Sequence, residues 1–304
     1  MQKKTWGLVL AGAGAFLWGS SGTVAQHLFN TTAISPLWLV ALRMLVSGAL
    51  LIGYGIGRRL PVLAVFKQPR AALKLIAFSL FGMAGVQLTY FMAISTGNAA
   101  LAAILQFLSP VLIILYLAVT TWRLPSKLDV ISVVMAVIGT ILIVTQGHLH
   151  SLALPVIAII WGLLAAVGAT VYTLMPVSLL KTYGATTIVG WSMLIGGVLV
   201  LIGTGAWRDM PQLSVGAWLQ VSFVVIFGTM LAYLFFLQSL EFILPTTASV
   251  LGAIEPLAAT ILSVVFLNVH FNLIGIIGAI LIVGVTLLQF IATRMVGFAP
   301  HDDN

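Results

Sequence analysis

A chain of 304 residues that is 61% hydrophobic and only 6% charged, with a mean hydropathy of +1.20, cannot present such a surface to water and reads as a polytopic helical membrane protein. Its net charge of +7 does not point to nucleic acid, because most Lys and Arg lie in short connections beside apolar runs, where they set orientation. Cysteine is absent, which excludes disulfides and thiolate metal sites.

Ten apolar runs follow one another, at about residues 1–26, 36–56, 71–95, 99–121, 128–146, 153–178, 185–205, 216–239, 246–267 and 272–293. The first, behind Lys3 and Lys4, superficially resembles a secretory signal. It is longer than the ~7 to 15 apolar residues such signals carry, and is read as span 1. With the N-terminus inside, eleven basic residues fall on inner segments (Lys3, Lys4, Arg58, Arg59, Lys67, Arg70, Lys74, Arg123, Lys127, Lys181 and Arg294) and only Arg208 on an outer one. This bias is expected to place both termini in the cytoplasm; the expected location is the plasma membrane of a bacterium. The inner connection from Gly57 to Pro69 is basic, which suits anionic lipid headgroups.

Span 9 carries the densest chemistry. Ala248 to Leu267 holds one charge, Glu255, near its middle. An ionised carboxylate at that depth costs at least ~2.5 kcal/mol, so it is expected to face a protein interior or an aqueous cavity. Pro256 follows directly, lacks an N–H and crowds the carbonyl of Gly252, so the helix is expected to bend beside the acid.

The chain also repeats. Phe81-Gly82 matches Phe227-Gly228 and Pro110 matches Pro256, both at a spacing of 146; Gly139 and Gly284 are 145 apart, and Trp18-Gly19 and Trp161-Gly162 are 143 apart. Each copy holds an odd number of spans, so the second must enter from the opposite side. The expected fold is all-α, ten transmembrane helices as two inverted five-helix repeats, 1–147 and 148–294, with a cytoplasmic tail over 295–304.

The paired stretches Leu108-Ser109-Pro110 and Ile254-Glu255-Pro256, with Trp18-Gly19 in span 1 and Arg43 in span 2, resemble the signature stretches of the EamA-like branch of the drug/metabolite transporter superfamily. The resemblance covers essentially the whole chain. It implies small-solute export or exchange through a cavity lined by spans 1 to 4 and 6 to 9, with spans 5 and 10 at the periphery. At the ends of spans 4 and 9 this chain has Thr121-Trp122-Arg123 and Asn268-Val269-His270 where the family often has Gly-Glu before a basic residue.

Arg43 and Glu255 are the charged residues well inside spans, and are read as substrate-binding, Glu255 also as the carrier of a coupling ion or proton; a structural ion pair between spans 2 and 9 is the competing assignment. Trp18, Tyr90, Trp161 and Tyr233 are candidate lining aromatics, and Gln106, four residues before Pro110, is a candidate polar contact. Pro110, Pro256 and Gly252 are candidate hinges. Trp6, Trp38, Trp122, Trp207 and Trp218 fall near span ends and read as interfacial anchors. His148 and His150 form too sparse a pair to hold a metal, and the absence of a Gly-x-x-x-x-Gly-Lys loop argues against ATP hydrolysis, so no cofactor and no enzyme activity are expected. The partners expected are a small-molecule substrate and membrane lipid, without nucleic acid, in a monomer or homodimer. The function read from this pattern is a secondary active transporter of a small metabolite by alternating access, with an amino acid as the substrate; a cationic or quaternary ammonium solute is the alternative, needing Glu255 and the aromatics but not Arg43.

Overall fold

The structure is a computed structural model that describes residues 2–122, 126–147, 155–208, 210–239, 242–243 and 245–296. His148, His150, Arg123 and most of the 295–304 tail lie outside the described residues. Every regular element among the described residues is helical. Lipid offers backbone groups no hydrogen-bond partner, so an apolar run of this length satisfies its own amides as a helix.

Among the described residues, nine helices are long and apolar enough to cross a bilayer: Lys3–Thr31, Pro36–Gly57, Pro69–Thr96, Ala99–Thr120, Lys127–Thr145, Val156–Leu174, Ala185–Gly203, Val215–Ser239 and Val250–Leu267. They are spans 1 to 9, and the 24-residue helix Leu273–Val296 is span 10. Their starts are written locally. Pro36 and Pro69 stand in first turns, where a missing N–H costs nothing. Asn98 caps span 4 by accepting from Leu101 N at 2.8 Å, Ser126 and Asp129 form a reciprocal capping box at span 5, and Ser214 caps span 8.

Packing follows the repeat. Span 2 lies on span 7 and span 5 on span 10, each pairing equivalent members of the two halves. Span 3 packs on span 6 as span 8 packs on span 1, and span 4 packs on span 6 as span 9 packs on span 1. Exchanging the halves therefore returns the same set of neighbours, as two inverted five-helix repeats require. The pair of spans 5 and 10 closes at Gly139 and Gly278. A Cβ at either would lie 2.8 or 2.7 Å from the carbonyl oxygen of the other, so the helices meet backbone to backbone. The outer face of span 5, with Val130, Val134, Val137 and Ile141, is exposed and apolar, as a lipid-facing surface must be.

Irregularities repeat as well. Spans 3 and 8 each contain a π-helical stretch, Phe78–Ala84 and Ile226–Leu231, around the matched Phe-Gly pairs. Spans 4 and 9 are each interrupted before their matched proline: Ala99–Gln106 gives way to Ser109–Thr121, and Pro245–Gly252 to Ile254–Leu267. One interfacial assignment changes. Trp38 is only 4% exposed because its ring is covered by Trp218, with centroids 6.0 Å apart, whereas Trp6, Trp122, Trp207 and Trp218 remain exposed.

The topology leads to a labelling expectation. On this cysteine-free chain, Asn30→Cys, in the last turn of span 1, and Gln68→Cys, in the connection between spans 2 and 3, sit on exposed positions at opposite ends of the bundle. A membrane-impermeant maleimide applied to intact cells should label position 30 and spare position 68 until the membrane is opened. The reverse pattern would invert the orientation.

Candidate functional site

The site is best built outward from Glu255. It stands in the first turn of the second segment of span 9, just past the interruption at Ala253. Span 1 reaches it at Gly19: a Cβ there would strike the Glu255 carbonyl and lie 2.9 Å from both Ala258 Cβ and Ala259 N. Because Gly19 has no side chain, span 1 approaches the backbone of span 9 directly at this point. Glu255 is partly accessible, and its carboxylate has no hydrogen bond or ion pair among the described residues.

Glu255 nevertheless interacts electrostatically with Arg43 of span 2, Tyr90 of span 3 and Tyr233 of span 8. Those three residues are 4%, 7% and 8% exposed, so the acid faces the interior of the bundle rather than lipid.

Arg43 is held from two directions. Its Nε donates to Thr229 Oγ1 at 2.9 Å, and its Cζ sits 4.3 Å from the centroid of the Phe91 ring. Neither Nη group has a hydrogen-bond partner among the described residues, and neither is sealed from a small probe. The direct ion pair between Arg43 and Glu255 that would lock span 2 to span 9 is not formed. Two opposite charges thus share one interior without neutralising each other in contact.

Aromatic rings close round this pair. Trp18 packs edge to face on Tyr233 at 5.0 Å and against Phe236 at 5.0 Å. Tyr172 of span 6 meets Tyr233 with ring centroids 6.2 Å apart and stacks on Phe78 at 5.9 Å. Tyr90 contacts Phe91, and its hydroxyl, unpartnered among the described residues, abuts Gly22 of span 1.

The remaining sequence-nominated residues stand farther from this centre. Trp161 is half-buried against the main core, beside Gly162, whose crossing with Leu105 of span 4 mirrors that of Gly19 with span 9. Gln106 closes the first segment of span 4, and no hydrogen bond ties it to Arg43, Glu255 or any other described residue. Pro110, Pro256 and Gly252 flank the two interruptions. Gln26 proves to have a structural task, accepting from Ala99 N at 2.8 Å where span 4 begins. A separate cavity of about 240 Å³ opens among Leu60, Tyr183, Thr187, Leu234 and Gln238 and contains none of the nominated residues.

Sequence reasoning passed over Thr229 and did not assign Phe91, Tyr172 and Phe236 to the site. Nothing in the one-dimensional pattern marks a lone Thr in an apolar run. Its importance arises only where span 8 meets span 2.

No group of three or more His, Asp or Glu side chains that could hold a metal occurs among the described residues. What the arrangement offers is a carboxylate, a guanidinium edge and aromatic faces, groups able to form charge-assisted hydrogen bonds and stacking contacts.

Comparison with known proteins agrees with this architecture. The sequence pattern of the EamA-like transporter family matches twice, over residues 5–145 and 156–291, one match per repeat. A protein described as the uncharacterized inner membrane transporter YicL, from Salmonella typhimurium, is 33% identical over 280 residues, covering 92% of this chain and 93% of its own. The uncharacterized transporter YyaM of Bacillus subtilis is 22% identical over 225 residues, covering 70% of this chain and 71% of its own. A crystal structure shares the fold at a TM-score of 0.64, with 20% identity over 96% of this chain and 99% of that one. With both repeats matched and the fold shared, the chain belongs to the EamA-like transporter family and is a membrane transporter.

Proposed function

We propose that the protein is a secondary active exporter or exchanger of an amino acid, working by alternating access, in which Arg43 takes the substrate carboxylate and Glu255 its ammonium group. The supporting observation is that these two groups, opposite in charge and within electrostatic range, are each left without a charged partner in contact. Removing a charge from water is costly unless something returns the lost interactions, and a zwitterion supplies both counter-charges at once. Trp18, Tyr90 and Tyr233 form the aromatic surround, which favours an apolar or aromatic side chain, with Trp161 and Gln106 contributing from the mirrored half. The two interruptions, at Gly252 with Pro256 and before Pro110, are the points about which the repeats rock. Glu255 also carries the coupling proton or ion when the solute leaves.

In this reading the units that move are the repeats 1–147 and 148–294. The chain sits in the cytoplasmic membrane with both termini inside, in keeping with its basic inner connections and with the name of the Salmonella relative.

A second reading, transport of cationic or quaternary ammonium solutes, draws on the rings around Glu255 and on Arg43 being already engaged by Thr229 and Phe91. One substitution separates the two. In proteoliposomes, Arg43→Ala is expected to raise KM for phenylalanine about 10- to 100-fold, the worth of a charge-assisted hydrogen bond, and to leave phenethylamine within about twofold. Equal loss of both solutes would remove Arg43 from carboxylate binding.

A further inference from the structure

We propose that Thr229, in the π-helical turn of span 8, is the positioning residue that sets selectivity for a carboxylate-bearing solute by fixing which edge of Arg43 is presented; this rests on the amino acid reading above. A guanidinium has two edges able to grip a carboxylate with paired N–H donors, one using Nε and one Nη, the other using both Nη groups. Thr229 occupies Nε at 2.9 Å, so only the edge made by both Nη groups is left. Phe91 covers one face of the plane, 4.3 Å from Cζ to ring centroid, and opposes rotation out of that orientation.

The direction of the Thr229 contact is forced. The hydroxyl has one proton, and it is given to Val224 O, five residues back, at 2.8 Å. Its lone pairs are therefore what face Arg43. The more usual acceptor four residues back, Val225 O, instead accepts from Ser47 Oγ at 3.0 Å. Ser47 and Arg43 are four apart on span 2, on one helix face, so span 2 grips the π turn at two successive points. Both groups, Arg43 and Thr229, are essentially enclosed, at 4% and 0% exposure.

The hydroxyl is not what makes the turn. The first repeat forms its own π stretch over Phe78–Ala84, and the position matching Thr229 there, at the spacing of 146, is Met83. A thioether has no proton to give and is a weak acceptor. The backbone irregularity belongs to both repeats, whereas the acceptor is present in one copy, opposite the buried Arg43.

The test uses Thr229→Val, which keeps shape and removes the hydroxyl, and Thr229→Ser, which keeps it, in the full chain. In arginine-labelled protein, with Arg43→Lys assigning the signal, hydrogen exchange of the Arg43 Nε–H is expected to quicken in Thr229→Val and to return towards wild type in Thr229→Ser. In proteoliposomes, Thr229→Val is expected to raise KM for phenylalanine about tenfold with little change in kcat, and to leave phenethylamine within about twofold. Unchanged exchange would overturn the positioning role, and equal effects on the two solutes would overturn the selectivity role. A wild-type protein that carries phenethylamine but not phenylalanine would instead count against the amino acid reading, while the exchange measurement still decides whether Thr229 holds Arg43.

Discussion

Glu255→Gln is expected to reduce gradient-driven transport to the level of empty liposomes while leaving the protein folded in detergent. The substitution nearly preserves side-chain volume, and the Gly19 contact, made to the backbone carbonyl of residue 255, is untouched. It removes both the negative charge and the ability to gain and lose a proton. In this bundle nothing else can replace them: the electrostatic neighbours of Glu255 are one arginine and two phenols, and its carboxylate has no other charged contact among the described residues. The folded state loses little, because no hydrogen bond or ion pair of Glu255 is given up. An isolated carboxylate at this depth opposes insertion by at least ~2.5 kcal/mol, so thermal stability should hold or rise slightly. Full retention of transport in Glu255→Gln would remove the acid from the mechanism, and unfolding of the variant would make it a structural element instead.

Gly19→Leu is expected to be the most damaging single change to the scaffold. The added Cβ alone would meet Ala258 Cβ and Ala259 N at 2.9 Å, as well as the Glu255 carbonyl. Two of these atoms are backbone, so relief requires spans 1 and 9 to separate rather than a side chain to turn. Overpacking of this kind costs about 1 to 3 kcal/mol or more, read as a lower thermal midpoint in detergent. Transport should fall further than stability, since the same crossing holds the backbone that carries Glu255. Gly53→Ala is the control, because a Cβ there meets nothing within 4 Å and Ala is favoured over Gly in a helix by up to ~1 kcal/mol. A wild-type midpoint in Gly19→Leu would mean that the two helices are not in contact at this position.

Much of the fold was legible because the bilayer leaves few alternatives. A run of about twenty apolar residues has to be a helix, and the apolar runs gave boundaries that agree to within a few residues with helices that start at Pro36, Pro69, Ala99 and Lys127. The spacing of Phe81-Gly82 and Phe227-Gly228 also located, without naming it, the place where spans 3 and 8 both adopt π geometry. Pro110 and Pro256 likewise marked the interruptions of spans 4 and 9, since a missing N–H is a local fact. Glu255 and Arg43 drew attention as charges with no reason to be in hydrocarbon.

Long-range pairing was not legible. Gln26 and Gln106 look alike in the sequence, yet one caps a distant helix and the other makes no hydrogen bond among the described residues. Trp38 and Trp218 both sit near span ends, yet one is covered by the other. The sequence by itself determined that this is a ten-span, twice-repeated membrane protein with an acid and an arginine inside it, because hydropathy, odd span number and charge placement act along the chain. Only the tertiary structure decided that the two charges stay apart, that Thr229 and Phe91 hold the arginine, and that Gly19 admits span 1 to the acid. Those contacts join residues up to 236 positions apart, and close approach in three dimensions leaves no period or composition to read in one.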